Sequence, residues 1–256
     1  MLQAHSLLWH YLWLAPHILQ LGLAAWLVRR GLHKLFPIFV TYLLYEAIEE
    51  FTLYAMDVLP SVTWQTFWRT FCVGLIVESL LKFALLGELF SHLVRAWPAV
   101  SKLGNRLVSS AGAVLVLLAT LAAALAPIDN PQHAIISRAH VLEQTLYIIQ
   151  SGLVLFLFLF ATYFRLTWDR PAFGILLGFG VLSCEHLASW AVTANGLLFE
   201  RRQLLDFVNM ATYHACVLTW FYYLLVPAKK ATTSAVSLPE NNLAVWNREL
   251  ERLLQQ

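Results

Sequence analysis

Between Phe36 and Leu59 the chain is apolar and long enough to cross a bilayer, yet the middle of that run reads Tyr45-Glu46-Ala47-Ile48-Glu49-Glu50-Phe51. A membrane-spanning helix needs about 20 apolar residues. A carboxylate at its centre costs about 2.5–3.5 kcal/mol on insertion scales. Glu46, Glu49 and Glu50 therefore cannot face lipid, and this helix must turn one side to protein or water. The fold has to supply that side.

Other runs of the same kind occupy residues 6–28, 63–94, 107–126, 135–163, 171–194 and 204–226, with the first-named run at 37–60. Only 12% of the residues are charged, against about a quarter in a soluble domain. The expected fold is an all-α integral membrane protein. It is a bundle of seven transmembrane helices over residues 1–228, followed by a cytoplasmic tail, 229–256, with a short amphipathic helix. Pro37 and Pro171 suit the first turn of their helices and Pro16 is a kink site in the first. Asp129-Asn130-Pro131 marks a turn. The N-terminus lacks a basic region and a cleavage site, so it reads as the start of the first helix and not as a removable signal. Cys72, Cys184 and Cys216 fall inside spans, and no disulfide framework is implied. A net charge of +2 suggests no nucleic-acid partner. The partner that composition implies is the bilayer, and the expected location is the plasma (inner) membrane, multi-pass.

Loop charges orient the bundle. Arg29, Arg30, Lys34, Arg95, Lys102, Arg106, Arg165, Arg170, Lys229 and Lys230 follow spans 1, 3, 5 and 7. The other side has Arg201 and Arg202, with Arg69 and Arg138 near helix starts. The positive-inside rule then puts the N-terminus outside and the C-terminus in the cytoplasm. In the tail, Leu243, Trp246, Leu250 and Leu253 recur at heptad-like spacing. Residues 239–256 are read either as a helix lying on the inner leaflet or the bundle, or as a docking helix for a cytoplasmic protein partner.

Residues three, four and seven apart share a helix face. Span 2 carries Tyr42, Glu46, Glu49, Glu50 and Asp57 on one stripe, and span 5 carries His140, Glu143, Gln144 and Tyr147. His10, His17 and Gln20 align in span 1, and Asp206, Asn209 and Tyr213 in span 7 beside His214. Span 6 contributes Glu185 and His186; span 3 contributes Glu78 and Lys82 in the order that favours pairing. Span 4 offers almost nothing polar and is expected at the periphery. At about 1.5 Å per residue, these groups converge on the outer half of the bundle. A polar cavity is expected there, lined by Glu46, Glu49, Glu50, Glu78, Tyr147, Glu185, His186 and His214.

Three functions fit such a cavity. The leading one is a sensor or receptor-like protein in which a ligand, proton or ion occupies the cavity and a cytoplasmic partner reads the state. Nearby aromatic residues suit an organic cation. The second is a metal-dependent integral membrane enzyme using Glu50, His140, Glu143 and Glu185 as ligands to a divalent metal. Carboxylate–His sites in helix bundles are built from facing helices in this way, but the usual Glu-x-x-His order is reversed here and occurs once. Whether the chain is an enzyme stays open. The third is a small-solute or proton-coupled transporter in a 3+1+3 arrangement, motivated by Pro37 and Pro171 opening spans 2 and 6 with Glu50 and Glu185 downstream. A bis-His haem has little in its favour. A retinal Schiff base of the usual kind has no Lys in span 7 to form on. Topology is shared with G-protein-coupled receptors, microbial rhodopsins and SWEET-type transporters, but the motifs of the receptors are missing, and topology alone confers no function.

Overall fold

The computed structural model describes residues 6–126, 134–194, 202–226, 245–248 and 251–252. Seven long helices make up the bundle: α1 (Leu7–Arg29), α2 (Pro37–Val58), α3 (Trp64–Leu93), α4 (Pro98–Leu125), α5 (Ala134–Tyr163), α6 (Arg170–Ala194) and α7 (Arg202–Leu225). There is no strand among the described residues. Five of these helices, α1, α3, α4, α5 and α6, are long and apolar enough to cross a membrane, so the chain is a helical membrane protein. α2 falls short on account of Glu46, Glu49 and Glu50, and α7 on account of its Asn, His and Tyr side chains. The expected turn at Asp129-Asn130-Pro131 and the cations Arg201, Lys229 and Lys230 lie outside the described residues.

Helix starts show two solutions to the same problem. The first amides of a helix have no intrahelical acceptor. Ser6 and Thr63 solve this locally, their hydroxyls each accepting from an amide three residues on at 3.3 Å. α2 and α4 open instead with Pro37 and Pro98, behind Phe36 and Trp97, which have no acceptor to offer. Their caps come from elsewhere in the chain. Glu88 on α3 accepts from the amides of Ile38 at 3.1 Å and Phe39 at 3.2 Å. Asn247 of the tail accepts from Ala99 at 3.0 Å and Val100 at 3.4 Å.

The packing forms a ring. α1 touches α2, α2 touches α3, α3 touches α5, α5 touches α6, α6 touches α7, and α7 returns to α1. α4 packs outside that ring, against α3 and α5. It approaches α3 closely at Gly104 and Gly112, where a Cβ would run into Phe90 and Phe83. Small residues at such crossings let membrane helices approach. α4 starts at Pro98, well before the apolar run that begins near 107, because nothing between them breaks a helix and the polar turn projects beyond the apolar stretch. α1 continues through Pro16 without interruption. The cysteines are free.

Inside the ring, Phe39, Tyr42, Phe179 and Trp220 are all buried to 2% exposure or less. Their rings meet at centroid distances of 5.1 Å (Tyr42–Phe179), 5.3 Å (Phe179–Trp220) and 5.5 Å (Phe39–Trp220). The Trp220 indole also donates to the Ile175 carbonyl at 3.2 Å. This aromatic layer fills the ring at the level where α2 and α6 are near their starts.

Candidate functional site

Above that layer, towards the end where α1, α3, α5 and α7 begin, the ring encloses a cavity of about 390 Å³. Six helices line it. The acidic lining residues are Glu46, Glu49, Glu50, Glu78, Glu143 and Asp206, and the basic ones Lys82, His17 and His186. Trp9, Trp13, Tyr147, Tyr213 and Phe71 supply the aromatic surface. α4 contributes nothing.

The three carboxylates of α2 leave it in three directions. Glu46 points to α7, where the Tyr213 hydroxyl donates to its Oε1 at 3.2 Å. Glu50 points to α1, where the Trp13 indole donates to its Oε2 at 2.8 Å. Glu49 points to α3, its carboxyl lying where the Cβ of any larger residue at Gly74 would stand. Gly74 is therefore the notch that admits Glu49, and the Tyr45 hydroxyl donates to the Gly74 carbonyl at 3.2 Å beside it.

The Glu46 bond ends a chain with one polarity. His17 Nδ1 lies 2.9 Å from Gln20 Oε1, Gln20 Nε2 donates to the Tyr213 hydroxyl, and that hydroxyl donates to Glu46. An amide oxygen only accepts, so His17 carries its proton on Nδ1. Successive donors of one direction polarise each other in a low-dielectric interior. The opposite wall is built on an ion pair between Glu78 and Lys82, one turn apart on α3. The Lys82 ammonium stands 5.1 Å from the centroid of the Tyr147 ring, and the far face of that wall is His186 stacked on Tyr147 at 3.9 Å.

One oxygen of Glu46 and one of Glu49 are buried with no hydrogen-bond partner among the described residues. Buried polar atoms of native proteins nearly always have one. The Tyr42 hydroxyl, one turn before Glu46 on α2, is likewise buried without a partner among the described residues.

Of the residues expected to line the cavity, Glu46, Glu49, Glu50, Glu78, Tyr147 and His186 do. Glu185 and His214 do not. Glu185 is one position from His186 and so about 100° round the helix. It accepts from Ser189 at 2.7 Å in the α6–α7 seam, where Ser189, its one proton spent, accepts from the Asn209 amide. His214 is turned away from Tyr213 in the same manner and packs beside Tyr11 of α1, ring centroids 5.8 Å apart. Among the expected metal ligands, Glu50 and Glu143 line the cavity. His140 sits one turn away, its Nδ1 3.5 Å from Glu143 Oε2 and its ring edge-on to Trp68. Among the described residues no three His, Cys, Asp or Glu side chains are gathered as a metal would need. Glu50, His140, Glu143 and Glu185 are not gathered as one set: Glu50 and Glu143 line the cavity, His140 stands beside Glu143 outside that lining, and Glu185 lies in the α6–α7 seam.

The sequence pattern passed over Trp9 and Trp13, whose type reads as ordinary packing. It also passed over Glu88, which lies below the cavity. The signal for Glu88 was available: two helices that open on proline behind an aromatic residue need an acceptor from another segment.

No protein family, no curated protein and no solved structure matches this chain.

Proposed function

We propose that the chain is a receptor-like protein of the plasma (inner) membrane that holds a small organic cation in this cavity and passes its occupancy to the cytoplasmic side. In this reading all seven long helices cross the bilayer, α2 and α7 being shielded within the ring. Arg29, Arg30, Lys34, Arg95, Lys102, Arg106, Arg165 and Arg170 gather at the end away from the cavity, which by the positive-inside rule is the cytoplasmic end. The cavity then belongs to the outer half.

The observation that carries the reading is the shortage of positive charge among the carboxylates of the cavity. Glu46, Glu49 and Glu50 bring three carboxylates to the cavity beside Glu78, and the one lysine of the lining is already paired with Glu78. One oxygen each of Glu46 and Glu49 is buried without a partner, and a small organic cation supplies the positive charge that these carboxylates lack. Trp9, Trp13 and Tyr213 line the same cavity, and aromatic rings of this kind attract a cation. The volume lies at the small end of the usual range for small-molecule sites, about 300–1,000 Å³.

The aromatic layer of Phe39, Tyr42, Phe179 and Trp220 favours binding over passage, since it closes the ring beneath the cavity. A transporter would have to part these rings.

Choline and its neutral isostere 3,3-dimethylbutanol test the reading with purified protein in detergent. Choline raises the melting temperature by ligand linkage, and the isostere does not. Glu46→Gln keeps the shape and removes a charge, and weakens choline binding by at least about tenfold, the effect of losing one charged contact. Equal shifts from the isostere, or an unchanged affinity in Glu46→Gln, would overturn the proposal.

A further inference from the structure

We infer that the groove between the end of α3 and the start of α4 binds the phosphate-bearing headgroup of an anionic lipid. The groove lies at the end of the bundle away from the cavity and has a volume of about 890 Å³. Arg95, Lys102 and Arg106 supply three cations. Ser91, Asn105 and Ser109 add hydroxyl and amide donors, while the Ser101 and Ser110 hydroxyls donate to the Ser91 and Leu107 carbonyls. No acidic side chain lines it among the described residues. Arginine and lysine beside hydroxyl donors is the chemistry that holds a phosphate.

Helix length places the groove at headgroup depth. α4 has 28 residues, about 42 Å at 1.5 Å each, against a hydrocarbon core of about 30 Å. Its first two to three turns, Pro98 to Arg106, project beyond the core. The two walls are held close because Gly87 of α3 packs on Asn105 and Ser109, and a Cβ at Gly87 would meet both. The free ends of α4 are not the attraction, since Asn247 already accepts from the amides of Ala99 and Val100. Recognition falls to the side chains.

A second feature selects a lipid over a soluble phosphate. Arg106 and Ser110 continue along one face of α4 into Val114, Leu117, Leu121 and Leu125. These four are 52–75% exposed. A headgroup seated in the groove therefore has a track for its acyl chains directly beneath it. Basic pockets at the cytoplasmic side of membrane bundles are suited to anionic headgroups.

The test uses the full chain in a neutral detergent, with intrinsic fluorescence reporting thermal unfolding. Short-chain phosphatidylglycerol raises the melting temperature, and short-chain phosphatidylcholine does not. The triple variant R95Q/K102Q/R106Q requires roughly a hundredfold more phosphatidylglycerol for the same shift, on the basis of about a tenfold loss or somewhat less per cation. The variant R29Q/R30Q/K34Q removes as much charge from the same end and keeps the wild-type response. Should the triple variant fail to fold, K102Q alone carries the test with a five- to tenfold weakening, roughly one cation's share. An equal response to phosphatidylcholine, equal weakening in the R29Q/R30Q/K34Q control, or no weakening in the groove variants overturns the inference. Inorganic phosphate reproducing the full shift at equal concentration would replace the lipid by a soluble phosphate.

Discussion

Glu46, Glu49 and Glu50 occupy little more than one turn of α2, yet each is held by a different neighbouring helix. Their spacing puts all three on one stripe of the helix. The structure separates them because α2 is flanked by α1 and α3 with α7 across the ring, so that a helical offset of one residue changes the neighbour. Gly74 is the residue that makes room for Glu49. Gly74→Ala is expected to keep or raise thermal stability, since alanine is favoured over glycine in a helix by about 1 kcal/mol. The added methyl meets only the end of a flexible side chain. The same variant pushes the Glu49 carboxylate aside and changes choline affinity; an unchanged affinity would remove Glu49 from the site. Glu88 is the complementary case, a carboxylate with a structural task. Glu88→Ala leaves two amides of α2 without their acceptor, and is expected to cost about 1–3 kcal/mol in thermal or denaturant unfolding. Glu88→Gln retains one acceptor and should cost less. Parity of the two variants would show that α2 does not depend on the cap.

At the scale of elements, the start of α2 at Pro37 was readable in the sequence, while the start of α4 at Pro98 and the acceptors that cap both helices were not. A local cap depends on residues three apart, whereas Glu88 and Asn247 reach their targets only after the chain has folded back. The end of α5 is a third kind of terminus. Arg165 has φ 52°, the left-handed region that favours glycine. The Leu166 amide bonds back to the Ala161 carbonyl at 2.8 Å and the Arg165 amide to Thr162 at 3.2 Å. This is the Schellman arrangement with arginine where glycine is the common choice. Arg165→Gly is expected to stabilise the protein by about 1 kcal/mol, the relief of a left-handed L-residue less the added chain entropy. A fall in melting temperature would show that the arginine side chain contributes more than its backbone costs.

On the scale of the whole molecule, six helices form the ring, α4 stands outside it, and a short described piece of the tail closes on α4. Asn247 is buried, whereas Trp246 beside it is 64% exposed. Leu243, Leu250 and Leu253, the other members of the proposed tail stripe, lie outside the described residues. Deletion of 239–256 is expected to lower stability by about 1 kcal/mol, the usual worth of a helix cap. The choline response should remain, because the cavity is at the other end of the ring. In the receptor reading the same deletion abolishes the response of a cytoplasmic partner, and an intact partner response would sink that route.

The sequence by itself determined that the chain is helical and built for a membrane, since apolar runs of bilayer length have few other ways to satisfy their backbone. It also determined that α2 needs a polar neighbour and that α4 does not, because composition along a helix is visible without a fold. Which carboxylate meets which helix was settled only by the tertiary structure. One residue turns a side chain by about 100°. That rotation keeps Glu46 and His186 in the cavity and sends Glu185 and His214 into the seams, depending on where each neighbouring helix stands. The acidic stretch of α2 is therefore one wall of the cavity, and its three charges are assigned one by one to α7, α3 and α1 by the packing of the ring.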